Sequence, residues 1–534
     1  MFEIEYYKDN NLIKTKSSNN DIEINIIEDL NQYQLILKAK TKITLEKTYI
    51  LNYYKIDNKN QYFFNGYQAW TDTHLTDIKF KEKDILKMPK VITNSFSLND
   101  YGDAKFYNYN KNKLHGYDIF YSSNKDIFIY NLNYKNAYLI FEVLKKEKVL
   151  NLISDIKNKS LKENEEFTIF NFKKFNDFES GINSFNNDFK LENKNKLLGY
   201  TSWYNYYQNI NEDIILNDLS NLDERFDLFQ IDDGYETFVG DWQNVDKTKF
   251  KDGLLKVVNE IHKKGFKAGI WLAPFVAEEK SNVFINHNDW IKRYSDGSLV
   301  KAGGNWSGFY SLDLEKEEVI NYIKDCLKYV KDFGFDFFKL DFIYAASIVP
   351  FKGKTRAMTQ RETYQFLKDQ LKDKLILGCG NNLFSSYGLF DYSRIGPDVS
   401  LKFDDVWYMK YLHRERISTK VTLQNTILRS IFNNHLFLND SDVFLLRDEN
   451  IELKEEQRLA LITINSLFSS LLMTSDDIGK YDDKKKEILT STINIFNNAK
   501  NQKFKVFKDK YYIEYELDNK KINLTYNAKK GVFE

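Results

Sequence analysis

From the start of the chain to about residue 190, apolar and polar residues alternate in short runs. Asp21 to Ile27, Gln34 to Leu37, Ile127 to Tyr130 and Tyr138 to Val143 each read as strands, because neighbouring side chains on a strand face opposite sides. The opening Met1-Phe2-Glu3-Ile4-Glu5-Tyr6 alternates in the same way. Turn-forming clusters such as Lys16-Ser17-Ser18-Asn19-Asn20 and Lys157-Asn158-Lys159 separate the runs, and no long helical pattern interrupts them. Residues 1–190 are therefore predicted to fold as an antiparallel β-sandwich.

After the polar segment Leu191-Glu192-Asn193-Lys194-Asn195-Lys196 the rhythm changes. Strand-like runs now alternate with amphipathic helical patterns, the mark of a parallel α/β domain. The candidate strands are Leu197 to Ser202, Leu228 to Asp232, Lys267 to Ala273, Asp336 to Asp341, Ile376 to Cys379, Ser393 to Gly396, Leu436 to Asn439 and Leu472 to Ser475. Helical patterns fall at Glu212 to Glu224, Gly253 to Lys264, Lys316 to Phe333, Arg361 to Lys372, Leu412 to Phe432 and Lys454 to Ser469. Eight such strands predict a (β/α)8 TIM barrel over residues 191–480. Beyond Lys480 the β signal returns at Lys503 to Val506, Tyr511 to Tyr515 and Ile522 to Tyr526, so residues 481–534 are predicted to form a small C-terminal β-domain.

Charge narrows the range of partners. Lys+Arg and Asp+Glu each total 77 in 534 residues, so no net charge recruits nucleic acid or an anionic membrane surface. No apolar stretch approaches the ~20 residues of a membrane span, and no secretory signal pattern opens the chain. Cys326 and Cys379 are the only cysteines, too few for a disulfide framework and in keeping with a reducing compartment. A soluble, cytoplasmic protein is expected. Aromatic residues make up 16% of the chain; they could stack on sugars, but the chain is also rich in Asn, Lys and Ile, so their abundance decides little.

In a TIM barrel the catalytic groups lie at the C-terminal ends of strands, and here those ends are polar. Strand two runs out as Gln230-Ile231-Asp232-Asp233-Gly234, strand three carries Trp271 ahead of Ala273-Pro274-Phe275, and strand four ends Lys339-Leu340-Asp341-Phe342. Strand five ends Gly378-Cys379-Gly380-Asn381, and strand six leads from Arg394 through Ile395-Gly396-Pro397 to Asp398. Lys339 and Asp341, two apart, share the inward face, so the ammonium is expected to hold Asp341 ionised, as a nucleophile at an anomeric carbon requires. Asp398, on a rigid turn and partly desolvated opposite another carboxylate, is expected to keep a proton it can donate. Asp232 and Asp233 can reach one pocket if Gly234 breaks the strand. Spacing alone equally admits an ion pair filling a barrel layer, a merely rigid turn and a solvated acidic loop.

The histidines form no HxH or HExxH spacing, and no phosphate-cradling glycine loop stands in context. Neither a metal nor a cofactor is expected.

These motifs, taken in order, resemble glycoside hydrolase family 36, above all its compact bacterial α-galactosidases. The segments are Gln230-Ile231-Asp232-Asp233-Gly234-Tyr235, Gly240-Asp241-Trp242, Gly269 to Phe275, Lys339-Leu340-Asp341-Phe342, Leu377-Gly378-Cys379-Gly380 and Arg394-Ile395-Gly396-Pro397-Asp398-Val399, with Asn65-Gly66-Tyr67-Gln68-Ala69-Trp70 as an N-terminal element. The resemblance implies Asp341 as nucleophile and Asp398 as acid/base of a retaining, exo-acting α-galactosidase. It further implies Asp232 and Asp233 as ligands of galactose hydroxyls, Lys339, Arg394 and Cys379 as pocket lining, and Trp203, Tyr204, Trp271 and Trp70 as an aromatic wall. An α-galactoside oligosaccharide is the implied partner. The chain departs from the family at Tyr67, Ala69, Ser441 and Ser400-Leu401-Lys402-Phe403, which leaves the leaving-group subsite open. An α-N-acetylgalactosaminidase or galactosyl-transferring enzyme fits the same frame. A Schiff-base role for Lys339 and a sugar-binding protein without catalysis are the rivals from other classes.

Overall fold

The computed structural model describes residues 2–534 apart from 96, 125, 193 and 194. Two antiparallel sheets, one of seven strands and one of five, form the N-terminal sandwich. The expected strands are present as Ile22–Asp29, Gln32–Ala39, Phe128–Asn131 and Tyr138–Leu144. The opening strand spans Phe2–Lys8; Met1 lies outside the described residues, as do 193 and 194 of the polar segment. Leu35, Leu37, Phe141, Leu152 and Phe172 pack between the sheets, which is where the inward half of each alternating run belongs.

One element in this part differs from expectation. Phe178–Asp188 is a helix, capped where the Asp177 side chain accepts from Ser180 N. Its apolar positions Phe178, Ile182 and Phe185 follow a helical period that polar residues on the other face dilute. Gly181 lets this helix approach the sheet, since a Cβ there would sit 2.5 Å from Phe128 Cβ.

Eight parallel strands close into a barrel in simple sequence order. They span Leu197–Thr201, Leu228–Ile231, Lys267–Leu272, Phe337–Leu340, Leu375–Gly378, Tyr392–Arg394, Leu438–Phe444 and Leu471–Thr474. Seven match the predicted runs closely. The seventh in order runs well past the predicted end at Asn439, because Asp440-Ser441-Asp442, which reads as a polar turn, continues the strand through an irregularity between Asp440 and Val443. Asp442 adopts a left-handed φ of 70° there, a conformation that aspartate tolerates better than most residues.

The helices Glu212–Asn221, Leu255–Lys263, Glu317–Asp332, Arg356–Gln370, Thr419–Leu428 and Glu455–Phe468 lie between strands. Two differ from the sequence pattern. Arg356–Gln370 starts a turn early because Thr355 caps it, its hydroxyl accepting from Met358 N. The long pattern from Leu412 breaks at His413, and Ser418 caps a new helix by accepting from Val421 N. The C-terminal region opens with a helix that the sequence analysis does not place, Asp483–Asn498, packed on Glu455–Phe468. A four-stranded antiparallel sheet follows, with Lys500–Phe507, Lys510–Leu517 and Lys520–Asn527 covering the predicted runs.

Among the described residues no helix is long and apolar enough to cross a membrane. Both cysteines are free and buried.

Candidate active site

The polar ends of the barrel strands converge as the fold requires. Asp232, at the end of the second strand, is buried and accepts from Lys339 Nζ at 2.9 Å, Gln230 Nε2 at 2.6 Å and Thr201 Oγ1 at 3.1 Å. Lys339 donates to Asp232 rather than to Asp341, because its side chain reaches past the third strand to the end of the second. Burial lowers the Lys339 ammonium, but the charges of Asp232 and then Asp341 outweigh that and raise it above its usual value.

Asp341 is oriented by two donors: Trp271 Nε1 reaches Oδ2 at 3.0 Å and Phe342 N reaches Oδ1 at 2.8 Å. Phe342 pays a conformational cost for this, with a left-handed φ of 52°, and is held by aromatic contacts to Trp70, Trp306 and Phe309.

Asp233 is buried beside Asp232 and accepts from Trp306 Nε1 at 2.8 Å and Gln208 Nε2 at 3.1 Å. Gly234, at φ 118°, makes the turn that brings both aspartates to one pocket. Burial raises the Asp233 carboxyl, opposed by hydrogen bonds from Glu236, Gln208 and Trp306. Burial pushes Glu236 well above the ordinary range, and Asp233 adds to it.

On the opposite side Arg394 serves three carboxylates. Its Nη1 meets Asp398 Oδ1 at 2.9 Å, Nε meets Asp440 Oδ2 at 2.7 Å and Nη2 meets Asp442 Oδ1 at 2.8 Å. Burial raises the Asp398 carboxyl; Arg394 and Lys339 oppose the rise, while Asp341 and Asp232 add to it. The Asp398 side chain keeps 34% of its exposure, so it remains reachable from solvent. Burial pushes Asp442 up to about 7 against the pull of Arg394. Asp442 also accepts from Val399 N at 2.6 Å and from the Tyr204 hydroxyl.

The remaining predicted residues fall into two groups. Cys379 is buried among the charged groups: burial pushes its thiol well up, Asp341 adds, and Arg394 and Lys339 oppose. Trp271 and Tyr204 touch Asp341 and Asp442 as described. Trp70 comes in from the sandwich, its ring against Phe342 and Tyr344 and its buried Nε1 without a protein acceptor. Gly380, at φ 66°, makes room for it, since a Cβ there would lie 3.0 Å from the Trp70 ring. Trp203 is partly buried and packs edge-to-face on Tyr207, so its aromatic contact is within its own loop. Sequence reasoning missed Asp440, Asp442, Gln208, Glu236 and Trp306. Only the two aspartates carried a legible signal, as residues two apart beyond a strand cut short.

Among the described residues no group of histidine, cysteine, aspartate and glutamate could hold a metal ion. The carboxylates are matched instead by Lys339 and Arg394.

Carboxylates gathered with two cations at the mouth of a parallel barrel suit the paired-acid chemistry by which glycosides are hydrolysed. The Melibiase family model matches residues 178–370, and the comparisons return the family that the motifs resemble. The α-galactosidase of Escherichia coli is 28% identical over 196 residues, which are 34% of this chain and 26% of that protein. The matched stretches thus span about a quarter of that relative or less in the others. The α-galactosidase of Thermus thermophilus, solved with p-nitrophenyl α-D-galactopyranoside, superposes with a TM-score of 0.71 at 20% identity, over 96% of this chain and 97% of that one. A glycoside hydrolase family 36 α-galactosidase from Geobacillus stearothermophilus gives 0.63 at 11% identity, over 98% and 80%. These two likenesses are of fold.

Proposed function

We propose that this protein is a retaining, exo-acting α-galactosidase that removes terminal α-linked galactose from uncharged oligosaccharides. The observation that carries the reading is the placement of Asp341 and Asp398 at the ends of barrel strands four and six, Asp341 held by Trp271 and Asp398 by Arg394. Burial raises the Asp398 carboxyl and the charge of Asp341 adds to the rise, while Asp341 itself stands as an oriented acceptor between Trp271 and Phe342.

In this reading Asp341 attacks the anomeric carbon as the bond to the leaving oxygen breaks, and Asp398 gives that oxygen its proton. The resulting ester cancels the negative charge on Asp341. One of the charges that raised Asp398 is then gone, so its pKa falls and it becomes the base that takes a proton from water. Water attacks the anomeric carbon, releasing galactose and restoring both carboxyls. Retention by this route needs the carboxyls roughly 5 to 5.5 Å apart.

Asp232, Asp233, Lys339, Arg394 and Cys379 line the galactose site, with Trp203, Tyr204, Trp271 and Trp70 as its aromatic wall. Residues 1–190 supply Trp70, 191–480 the chemistry, and 481–534 pack behind the barrel. The test is hydrolysis of p-nitrophenyl α-galactoside by the purified protein beside the α-N-acetylgalactosaminide and α-xyloside. The galactoside is expected to be cleaved with the highest kcat/KM, and preference for either of the others overturns the assignment.

A further inference from the structure

Arg429 is fully buried, just beyond the helix Thr419–Leu428, and all of its hydrogen bonds go to neutral amide oxygens. Its Nε donates to Asn65 Oδ1 at 3.0 Å, and its Nη2 to Gly66 O at 3.4 Å and Gln68 O at 3.2 Å. Its Nη1 bridges two segments, reaching Ala69 O at 2.6 Å and Ile395 O at 2.7 Å. One guanidinium therefore joins the sandwich loop that ends in Trp70 to the turn that ends in Asp398. Burying such a cation is costly, and burial lowers it to about 9. A neutral side chain could fill the same space, but it could not offer five divergent donors.

The rest of the turn is pinned from the same side. Thr422 Oγ1 donates to Pro397 O at 2.6 Å, and Ser418 N donates to Asp398 O at 3.1 Å. Ile395 N donates to Asp440 O at 3.0 Å, and Asn439 Nδ2 donates to the carbonyl of Arg429 at 3.1 Å. The turn leading to Asp398 is thus anchored on the helix carrying Thr422, on Arg429 and on the seventh strand.

We infer that Arg429 is a positioning residue for the acid/base step, which through Ile395 and Ala69 makes the aim of Asp398 depend on the docking of the sandwich loop. The inference rests on the proposed role of Asp398. Proton donation matters most when the leaving group is a poor one, so a misaimed acid has a signature that loss of stability lacks. The test compares kcat/KM on methyl α-galactoside and on 2,4-dinitrophenyl α-galactoside, whose leaving group departs without help. Arg429→Lys, with fewer donors at a single point, is expected to lose about 10-fold or more on the methyl glycoside beyond its loss on the dinitrophenyl one. Thr422→Ala loosens the same turn without disturbing the buried charge, and keeps the test open if the lysine variant does not fold. It is expected to shift the same ratio in the same direction by about 3-fold or more. Parallel losses on the two substrates, within about 2-fold in the variants that fold, overturn the inference. A wild-type protein inactive on both galactosides overturns the functional reading instead, before any variant is compared.

Discussion

Lys339 donates to Asp232 at 2.9 Å, past the third barrel strand to the end of the second, and not to Asp341 two positions further along its own chain. The pair is buried on both sides, so removing one partner leaves the other charge without compensation. Lys339→Met should therefore destabilise the protein by about 3–5 kcal/mol. The double variant Lys339→Met/Asp232→Asn should recover part of that loss. Urea unfolding of the four proteins of the cycle measures it, and strictly additive losses would show that the pair is not coupled.

Trp271 touches Asp341 through a single polar atom, its indole N–H. Trp271→Phe keeps an aromatic ring and deletes that donor. A hydrogen bond to a charged group is worth about 1.5–3 kcal/mol, so kcat should fall by roughly 10- to 100-fold. Steady-state kinetics on p-nitrophenyl α-galactoside checks this; an unchanged kcat would mean that the indole does not orient the nucleophile.

Replacement of Asp341 itself should be far more severe. Asp341→Asn is expected to lower kcat by about 10⁴-fold or more, since no covalent route remains. In Asp341→Gly, azide can occupy the vacated space and attack the anomeric carbon, giving β-galactosyl azide. Recovery of that inverted product identifies Asp341, whereas near-normal turnover by Asp341→Asn would remove it from the mechanism.

Stability should depend on pH through a carboxyl outside the site. Asp118 is buried in the sandwich, where it accepts from Asn131 Nδ2 at 2.8 Å and Leu139 N at 3.0 Å. Burial nonetheless raises it to about 7, against about 3.9 in an unfolded chain. The folded state then binds the proton more tightly. Its contribution is fully present below pH ~4 and is lost as pH rises through ~7, at up to about 1.4 kcal/mol per unit. Asp118→Asn does not titrate. Its stability relative to wild type should rise between pH 4 and 7.5 in denaturant titrations, and parallel pH curves for the two proteins would contradict the assignment.

The barrel was legible in the sequence because short strand-like runs alternate with amphipathic helical patterns and end in chemistry-bearing residues, as Phe337–Leu340 leading into Asp341 illustrates. Which cation meets which carboxylate was not legible. Alternation puts Lys339 and Asp341 on one face, but the reach of a lysine side chain past the third strand decides its partner. The seventh strand reads short because Asp440-Ser441-Asp442 has the composition of a turn, whereas tertiary partners, Arg394 for both aspartates and Tyr204 and Val399 N for Asp442, hold these residues in place. Trp306 and Gln208 lie in loops without any period, so nothing local marked them. Asp341 and Asp398 were singled out by position and their roles by resemblance; the geometry adds what surrounds each of them.

The most direct test of the central claim, that Asp341 and Asp398 work together by double displacement, is the anomer of galactose that first appears. Proton NMR during hydrolysis of an α-galactoside by the wild-type protein should show α-galactose accumulating before mutarotation produces the β form. Initial release of β-galactose, or no release of galactose at all, would contradict the account.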